Sequence, residues 1–429
     1  MLSNTISSTA IKDTCTASMP NPMQSSFAQL VHNQNIVVLD SFKLESGIVL
    51  EQVPVAYKTW GTLNDAGTNV MVLCHAMSGS ADVEDWWGQL LGPGAPFDTS
   101  KFFIFCGNVL GSPYGTASPC TINPKTGLKY GPTFPLTTIR DDVRLHKSIL
   151  DLLGVQQVKF CIGGSMGGMQ ALEWALTFGP EYVRHIVPIA TSGRHSAWCI
   201  SWGETQRQAI YSDSNYCDGY YTDDCSPKVG LAAARMVALL TYRARNSFQA
   251  RFGRKVVPKV RGLSKTELEH NEGNKFRIHD SNDKHESHAT LSSKESEPSV
   301  YSAQSYMRYQ GDKFVSRFDA NCYIAITRKL DNHDISTGRD DYSAVLASIV
   351  QDTLVIGIET DVLFTVEDQH ELAAGIPNSQ VVIVPSEEGH DGFLLELDHM
   401  RTLLQDFIQK CAPEMVELNP NAQKNTNQP

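Results

Sequence analysis

The chain has 429 residues, 41% of them hydrophobic and 19% charged, which is typical of a globular protein with a sizeable buried core. Its formal net charge of −11 argues against nucleic acid and anionic membranes as partners, because their phosphates would be repelled over most of the surface. The sequence contains no apolar run of the roughly 18 residues that a membrane span needs, no secretory core and no arginine-rich presequence, so we expect a cytoplasmic protein.

The first half of the chain predicts strands that alternate with helices. Residues 1–35 are polar and irregular and are expected to form a mobile N-terminal tail. Residues 36–197 begin with two alternating strands and continue with apolar runs that end in glycine-bearing loops: "NVMVLCHAMSGS", "KFFIFCGNVLGSPYG" and "VKFCIGGSMGG". Helical patterns such as "TIRDDVRLHKSILDLLG" separate these runs. The alternation predicts an α/β fold with a mostly parallel sheet and helices on both faces.

The pattern changes in residues 198–340, where long helical patterns without a strong strand predict an α-helical insertion. Within it, residues 255–300 carry many charges and few apolar side chains, so we expect a disordered surface loop there. Strand and helix patterns return in residues 341–412, the second part of the core, and residues 413–429 form a polar C-terminal tail.

The cysteines are predicted to be reduced thiols. All ten are scattered singly, without a C-x-x-C pair or a Cys/His cluster at ligand spacing, and several lie in apolar strand patterns. We therefore expect no metal site.

The segment Gly163-Gly164-Ser165-Met166-Gly167 matches G-x-S-x-G, in which a serine occupies a strained turn from a strand to a helix. An apolar strand pattern precedes Ser165 and a helical pattern follows it, as that turn requires. The alternative is a glycine-rich nucleotide-binding turn, but "GGSMGG" lacks the G-x-G-x-x-G spacing and follows the third core strand rather than the first. Ser165 is therefore the candidate nucleophile.

A serine nucleophile needs a histidine base and an orienting carboxylate, which follow this type of turn in the order acid, then histidine. His390 follows the strand pattern "SQVVIVP", and Asp361 ends the earlier strand pattern "DTLVIGIETD". The other histidines after the serine lie in the polar stretch, in helical patterns, before any suitable acid, or without a strand leading to them. We predict the triad Ser165, Asp361 and His390, and we interpret His75 as support for its own loop.

Acyl transfer at a serine also needs hydrogen-bond donors for the oxyanion. After this type of turn, one donor is the backbone N–H of the residue that follows the serine, here Met166. The second comes from a loop after an earlier strand, and "HAMSGS" nominates Met77.

Several blocks of the sequence resemble homoserine O-acetyltransferases: "AYKTWGTLN", "GSPYGTASP", "TIRDDVRLH", "GGSMGGMQALEW" and "EEGHDGFLLE" occur in that order. The resemblance implies an α/β-hydrolase fold in which the helical insertion is a lid. It also implies transfer of acetyl from acetyl-CoA to L-homoserine through an acetyl-serine intermediate, in methionine biosynthesis. The triad of that family falls on the three residues already predicted.

The resemblance further implies substrate groups that spacing alone does not predict. Arg235 and Tyr242 would lie in the lid, with the guanidinium on the amino-acid carboxylate. Asp391 would pair with the substrate ammonium. The resemblance also implies a homodimer, and acetyl-CoA as a co-substrate without any bound cofactor.

Other functions remain open at this point. The triad does not distinguish L-homoserine from L-serine or another alcohol, or acetyl-CoA from succinyl-CoA. A plain esterase would transfer the acyl group to water, and a non-catalytic binding module on the same scaffold would release no thiol.

Overall fold

The computed structural model describes residues 25–257 and 300–415. Its strands are β1 (Asn35–Lys43), β2 (Val49–Trp60), β3 (Val70–Cys74), β4 (Phe103–Gly107), β5 (Val158–Gly164), β6 (Val183–Ile189), β7 (Val256–Val257), β8 (Val300–Tyr301), β9 (Asp352–Ile358) and β10 (Ser379–Val384). Eight of them form one sheet in the order β1-β2-β4-β3-β5-β6-β9-β10, while β7 pairs with β8. β2 is antiparallel to β1 and β4, and the other neighbours in the large sheet are parallel. The predicted mostly parallel sheet is confirmed.

The α-helices are α1 (Val83–Trp87), α2 (Ile139–Leu152), α3 (Met166–Tyr182), α4 (Ala197–Tyr211), α5 (Lys228–Tyr242), α6 (Arg245–Phe252), α7 (Ser302–Val315), α8 (Ala320–Asp331), α9 (Tyr342–Ala347), α10 (Val366–Gly375), α11 (Gly392–Leu395) and α12 (Leu397–Cys411). Short 3₁₀ helices are Ser26–Leu30, Gly88–Leu90, Gly131–Thr133, Cys217–Gly219, Gly389–Asp391 and Pro413–Met415. In the part of the chain that the structure describes, no helix has both the length and the apolar character for crossing a bilayer.

Helices cover both faces of the large sheet. On one face, α2, α3 and α10 pack in a cluster with Val70 and Val72 of β3. On the other face, α1 and α12 pack in a second cluster with Met71 and Leu73 of the same strand. Successive side chains of a strand point to opposite faces, so a strand covered on both sides needs apolar residues at every position. This explains the unbroken apolar run of β3.

The helices α4 to α9 lie between β6 and β9 in the chain, although these two strands are neighbours in the sheet. We call this segment the helical insertion. Ala234, Phe314 and Tyr323 of the insertion share a third hydrophobic cluster with Met166 and Met169 of α3. The insertion therefore packs against the N-terminal end of α3, at the turn that carries the candidate nucleophile.

The predicted disordered loop, residues 255–300, lies outside the described residues except at its two ends, where β7 pairs with β8. Both predicted tails also lie largely outside them, since residues 1–24 and 416–429 are not described.

The described part of the predicted N-terminal tail packs on the protein. Ala28 of the Ser26–Leu30 helix is buried, and Val31 joins the hydrophobic cluster of the insertion. The side chain of Gln34 donates hydrogen bonds to the backbone oxygens of Ala28 and Tyr114. The sequence did not predict this packing. A few apolar side chains of a polar segment contact an apolar surface of the core, and the local pattern does not reveal that surface.

The turn between β5 and α3 lies against the end of β3 at backbone distance. A Cβ atom added at Gly167 would be 2.1 Å from the backbone oxygen of Cys74. A Cβ atom at Gly163 would be 2.3 Å from the backbone oxygen of Gly167. The glycines beside Ser165 are therefore required by this close approach.

We expect Gly167→Ala to lower the free energy of unfolding by roughly 1–3 kcal/mol, because the added methyl group must displace backbone rather than a flexible side chain. Urea unfolding measures the change. Gly88→Ala is the matched control, since a Cβ atom there meets nothing within 4 Å. Equal stability of the two variants would contradict this account.

Candidate active site

Ser165 occupies a strained turn. Its φ of 59° and ψ of −124° lie in a region that residues with a side chain rarely adopt. The conformation is held because Ser165 N–H donates to Ile189 O at 2.9 Å, while Ser165 O accepts from Gly168 N–H and from the Thr191 hydroxyl. The serine side chain lines a cavity of about 400 Å³. The turn thus places Ser165 on the wall of this cavity.

His390 and Asp361 form a buried pair. His390 Nδ1 lies 2.7 Å from Asp361 Oδ2, and since a carboxylate accepts only, Nδ1 carries the proton and donates. The other carboxylate oxygen accepts from the backbone N–H groups of Leu363 and Phe364. The predicted acid and base are therefore in contact, with the carboxylate fixed and Nε2 of the imidazole left without a proton.

His390 lines the same cavity as Ser165. Among the residues that the structure describes, however, the Ser165 hydroxyl has no hydrogen-bond partner. Catalytic hydrogen bonds are often long or misaligned without substrate and tighten in the complex. The structure thus brings the three predicted residues to one site without closing the contact between serine and histidine.

The Asp361 carboxylate controls the charge of His390. Burial alone would lower the pKa of His390, but the charge and hydrogen bond of Asp361, aided by Asp391, raise that pKa above its ordinary value. This environment stabilises an imidazolium, the species that a histidine becomes after it takes a proton.

The proposed oxyanion donors are the backbone N–H groups of Met166, next to Ser165, and of Met77, in the loop after β3. Met166 is the first residue of α3, so its N–H has no partner within the helix, and the positive end of the helix dipole points the same way. Met77 lines the cavity, in the loop after β3. Neither N–H donates a hydrogen bond to any residue in the described ranges. Both N–H groups therefore lack a protein partner, although Met166, unlike Met77, is not among the described residues that line the cavity.

Arg235 lines the cavity and has buried donors without a partner. It lies on α5, and its Nε and Nη1 atoms are buried without a hydrogen-bond partner in the described part of the chain. The guanidinium carbon is 4.9 Å from the centre of the Phe314 ring and 5.5 Å from that of Tyr242. A buried donor without a hydrogen-bond partner costs free energy, and a ligand carboxylate would supply that partner. Tyr242 itself lines the cavity, 6.0 Å from His390 between ring centres.

Asp391 also lines the cavity but already has a partner. Arg243 Nε lies 3.1 Å from Asp391 Oδ2, and Arg243 pairs in addition with Glu388. Burial raises the pKa of Asp391, although Arg243 and His390 oppose this change. An ammonium group at Asp391 would therefore join an existing ion pair rather than meet a free carboxylate.

Sequence reasoning missed several residues of the cavity wall. Arg317 follows α7, lines the cavity and donates from Nη2 to Ser78 O at 3.1 Å. Asp85 and Trp86 lie on α1, and Leu30 belongs to the segment expected to be mobile. Trp86 lies in the stretch "CHAMSGSADVEDWW", which also resembles the family and was the available signal, whereas Arg317 and Leu30 lie in no motif.

Two groups of possible metal ligands lie outside the cavity. Within the described ranges, Cys120, Asp319 and Cys322 come together, and so do His185, Asp352 and Cys411. Asp319 and Cys322 are close in the sequence, but each group also needs a residue from a distant part of the chain, which is why ligand spacing did not reveal them. All cysteines of the described ranges have free thiols, but Cys217 and Cys225 are exposed, unlike the core thiols that we expected.

Comparisons with known proteins agree with this geometry. A family model described as "alpha/beta hydrolase fold" matches residues 69–397. A homoserine O-acetyltransferase of Emericella nidulans is 51% identical, with 92% of this chain and 91% of the relative covered. A crystal structure of an esterase is 25% identical with a TM-score of 0.73, covering 88% of this chain and 99% of the other. That of a homoserine O-acetyltransferase from Bacillus anthracis is 22% identical with a TM-score of 0.73, covering 87% and 97%. The chain has the α/β-hydrolase fold and belongs to the homoserine O-acetyltransferase family.

Proposed function

We propose that this protein transfers the acetyl group of acetyl-CoA to the side-chain hydroxyl of L-homoserine, through an acetyl-serine intermediate at Ser165. The observation that carries the proposal is the unpaired guanidinium of Arg235 in the same cavity as Ser165 and His390. A simple acetyl ester has no group for that charge, whereas an amino acid brings a carboxylate. The identity to homoserine O-acetyltransferases along nearly the whole chain supports the same conclusion.

In the first half-reaction, His390 Nε2 takes the proton of the Ser165 hydroxyl as the oxygen attacks the thioester carbon. The oxyanion of the tetrahedral intermediate accepts hydrogen bonds from Met77 and Met166 N–H. The bond from carbon to sulfur then breaks, His390 returns the proton to the thiolate, and CoA leaves with its free thiol. The acetyl group remains as an ester on Ser165.

In the second half-reaction, the homoserine hydroxyl gives its proton to His390 and its oxygen attacks the acetyl carbon. The same two N–H groups stabilise the new oxyanion. The ester bond to Ser165 breaks, the serine oxygen regains the proton from His390, and O-acetyl-L-homoserine leaves. Arg235 and Asp391 hold the carboxylate and the ammonium of the acceptor, so that its hydroxyl is oriented toward the ester.

Transfer must outcompete hydrolysis, because water is far more concentrated than the acceptor. The helical insertion contributes Arg235, Tyr242 and Arg317 to the cavity wall, and we propose that it acts as a lid that limits water around the acetyl ester. Cytoplasmic localisation and a homodimer remain predictions, as do the domain boundaries at 36–197, 198–340 and 341–412.

The second candidate is an esterase, favoured by the structural likeness to a solved esterase. An esterase would release CoA or an alcohol at a rate indifferent to homoserine. An acyltransferase that takes L-serine or uses succinyl-CoA would show the same triad but a different acceptor or donor dependence.

We expect Ser165→Ala to lower kcat by a factor on the order of 10⁶, because no nucleophile remains to form the ester. A thiol reagent follows CoA release from acetyl-CoA with L-homoserine, with L-serine and without acceptor. The native protein should respond strongly to homoserine only, and Ser78→Ala, another serine on the cavity wall, should keep most of this activity. Equal release with serine or without acceptor would refute the assigned substrate.

We expect Asp391→Asn to raise the KM for homoserine by roughly tenfold or more, with little change in the rate of enzyme acetylation, because the ammonium loses an ionic partner. Arg243 retains Glu388 in this variant. Steady-state kinetics and a single-turnover acetylation assay separate the two effects. Asp85→Asn, which alters another carboxylate of the cavity, is the control. If KM for homoserine changes in the Asp85 variant instead, the ammonium site would be assigned to Asp85.

We expect activity to fall on acidification through an apparent pKa above 6.5, because the base must be neutral and the pKa of His390 is raised. Asp361→Asn should move this acid limb to lower pH, since burial then lowers the imidazole pKa, and should reduce kcat by about 10⁴ through the wrong tautomer. Profiles of kcat/KM for acetyl-CoA against pH measure both. An acid limb at the same pH in the two proteins would show that His390 is not the base.

A further inference from the structure

A fully buried ion pair joins the helical insertion to the core. Lys329 of α8 places its Nζ atom 2.6 Å from Oδ2 and 2.8 Å from Oδ1 of Asp142, which lies in the first turn of α2. Both side chains are 0% exposed. Asp142 belongs to "TIRDDVRLH", a block of the sequence to which the acyl-transfer steps assign no role.

The same two side chains hold one peptide segment between them. Lys329 Nζ donates to Leu110 O at 2.7 Å, and Leu110 N–H donates to Asp142 Oδ1 at 2.9 Å. Both backbone polar groups of Leu110 are thus bound by the ion pair. The loop after β4 that contains Leu110 has its position set by charges on the insertion and on α2.

That loop is linked to the oxyanion loop through His75. Val109 N–H donates to His75 Nε2 at 3.2 Å, so Nδ1 carries the proton and donates to Ala76 O at 2.8 Å. Burial lowers the pKa of His75 to about 4, so the ring stays neutral and keeps this tautomer. Ala76 directly precedes Met77, the candidate donor. Hydrogen bonds and the backbone step from Leu110 to Val109 therefore connect the ion pair to the donor loop.

The insertion holds the donor loop from a second side. Arg317 Nη2 donates to Ser78 O at 3.1 Å, on the residue after Met77. Residues of the insertion thus act on both flanks of Met77, one directly and one through Leu110 and His75.

Stability alone does not explain the ion pair. Moving two charges out of water costs several kcal/mol per ion, and replacing such pairs by apolar side chains is often neutral or stabilising. An orienting role explains it better, because the pair fixes both the N–H and the C=O of Leu110 in one geometry.

We propose that Lys329 and Asp142 are positioning residues that hold Met77 N–H in place for the oxyanion when the insertion is docked. This inference rests on the proposed function and extends it, because it makes the insertion part of the transition-state machinery as well as a cover. A displaced donor reduces the stabilisation of the transition state more than it reduces the binding of the substrate. The value of kcat should therefore fall while KM stays unchanged.

The test compares two charge-free double variants that differ at position 329. In Asp142→Asn/Lys329→Met, Asn still accepts from Leu110 N–H but Leu110 O loses its donor. In Asp142→Asn/Lys329→Gln, an amide again donates to Leu110 O. We expect kcat for homoserine-dependent CoA release to fall about tenfold or more in the first variant, with both KM values within about twofold, and to recover substantially in the second. Inhibition by a small alkylboronic acid, which forms a charged tetrahedral adduct on serine, should weaken in parallel with kcat.

The matched control is Arg339→Met, which removes another ion pair between the insertion and the core, with Arg339 Nη2 and Glu173 Oε2 2.7 Å apart, while Glu173 keeps its pair with Arg140. It should lose stability in thermal unfolding but keep kcat. Native kcat in the methionine double variant, or an equal loss in the control, would overturn the inference.

If the methionine double variant does not fold, two variants of His75 test the inference instead. His75→Gln keeps an acceptor near the position of Nε2, whereas His75→Asn loses it, so kcat should be lower in the second variant. Equal kcat in these two variants would also overturn the inference. Absence of homoserine-dependent release in the native protein would instead refute the proposed function itself.

Discussion

The contact between the β5–α3 turn and the end of β3 is the constraint on which the site depends. β3 and β5 are parallel neighbours, so the loops after them emerge at one edge of the sheet. The backbone of Gly167 lies so close to that of Cys74 that a side chain would not fit. This contact places Ser165 beside the loop that carries Met77. The candidate nucleophile and both proposed oxyanion donors therefore derive their relative positions from backbone packing rather than from side chains.

Charge defines what the cavity accepts. His390 is supported by a fixed carboxylate, Asp391 is held by Arg243, and Arg235 keeps buried donors without partners. An unmet buried donor costs on the order of 1–3 kcal/mol, which a ligand carboxylate recovers on binding. Such a cavity favours an amino acid over a simple alcohol or water.

Much of the architecture was predictable, because local patterns report burial. Apolar runs with glycine-bearing ends predicted the buried strands, and the chain order of acid and base identified Asp361 and His390 before any contact was known. The local pattern did not predict the packing of residues 25–35: Ala28 and Val31 are buried although their own segment is polar. Arg317 and Arg243 were not recognised either, since an arginine in a helical sequence pattern is ordinarily solvated.

The sequence by itself determined the order of strands and helices, the strained glycine-flanked turn at Ser165, and the residue types that acyl transfer needs. Only the tertiary structure decided which distant groups meet. Lys329 and Asp142 lie in separate parts of the chain, yet they pair with each other and bind the backbone C=O and N–H of Leu110. The reason is that periodicity reports which face of an element is buried, whereas partners across the core depend on how whole elements pack. A buried charge is stable only with a specific partner, so the structural role of such a residue can be assigned only when that partner is known.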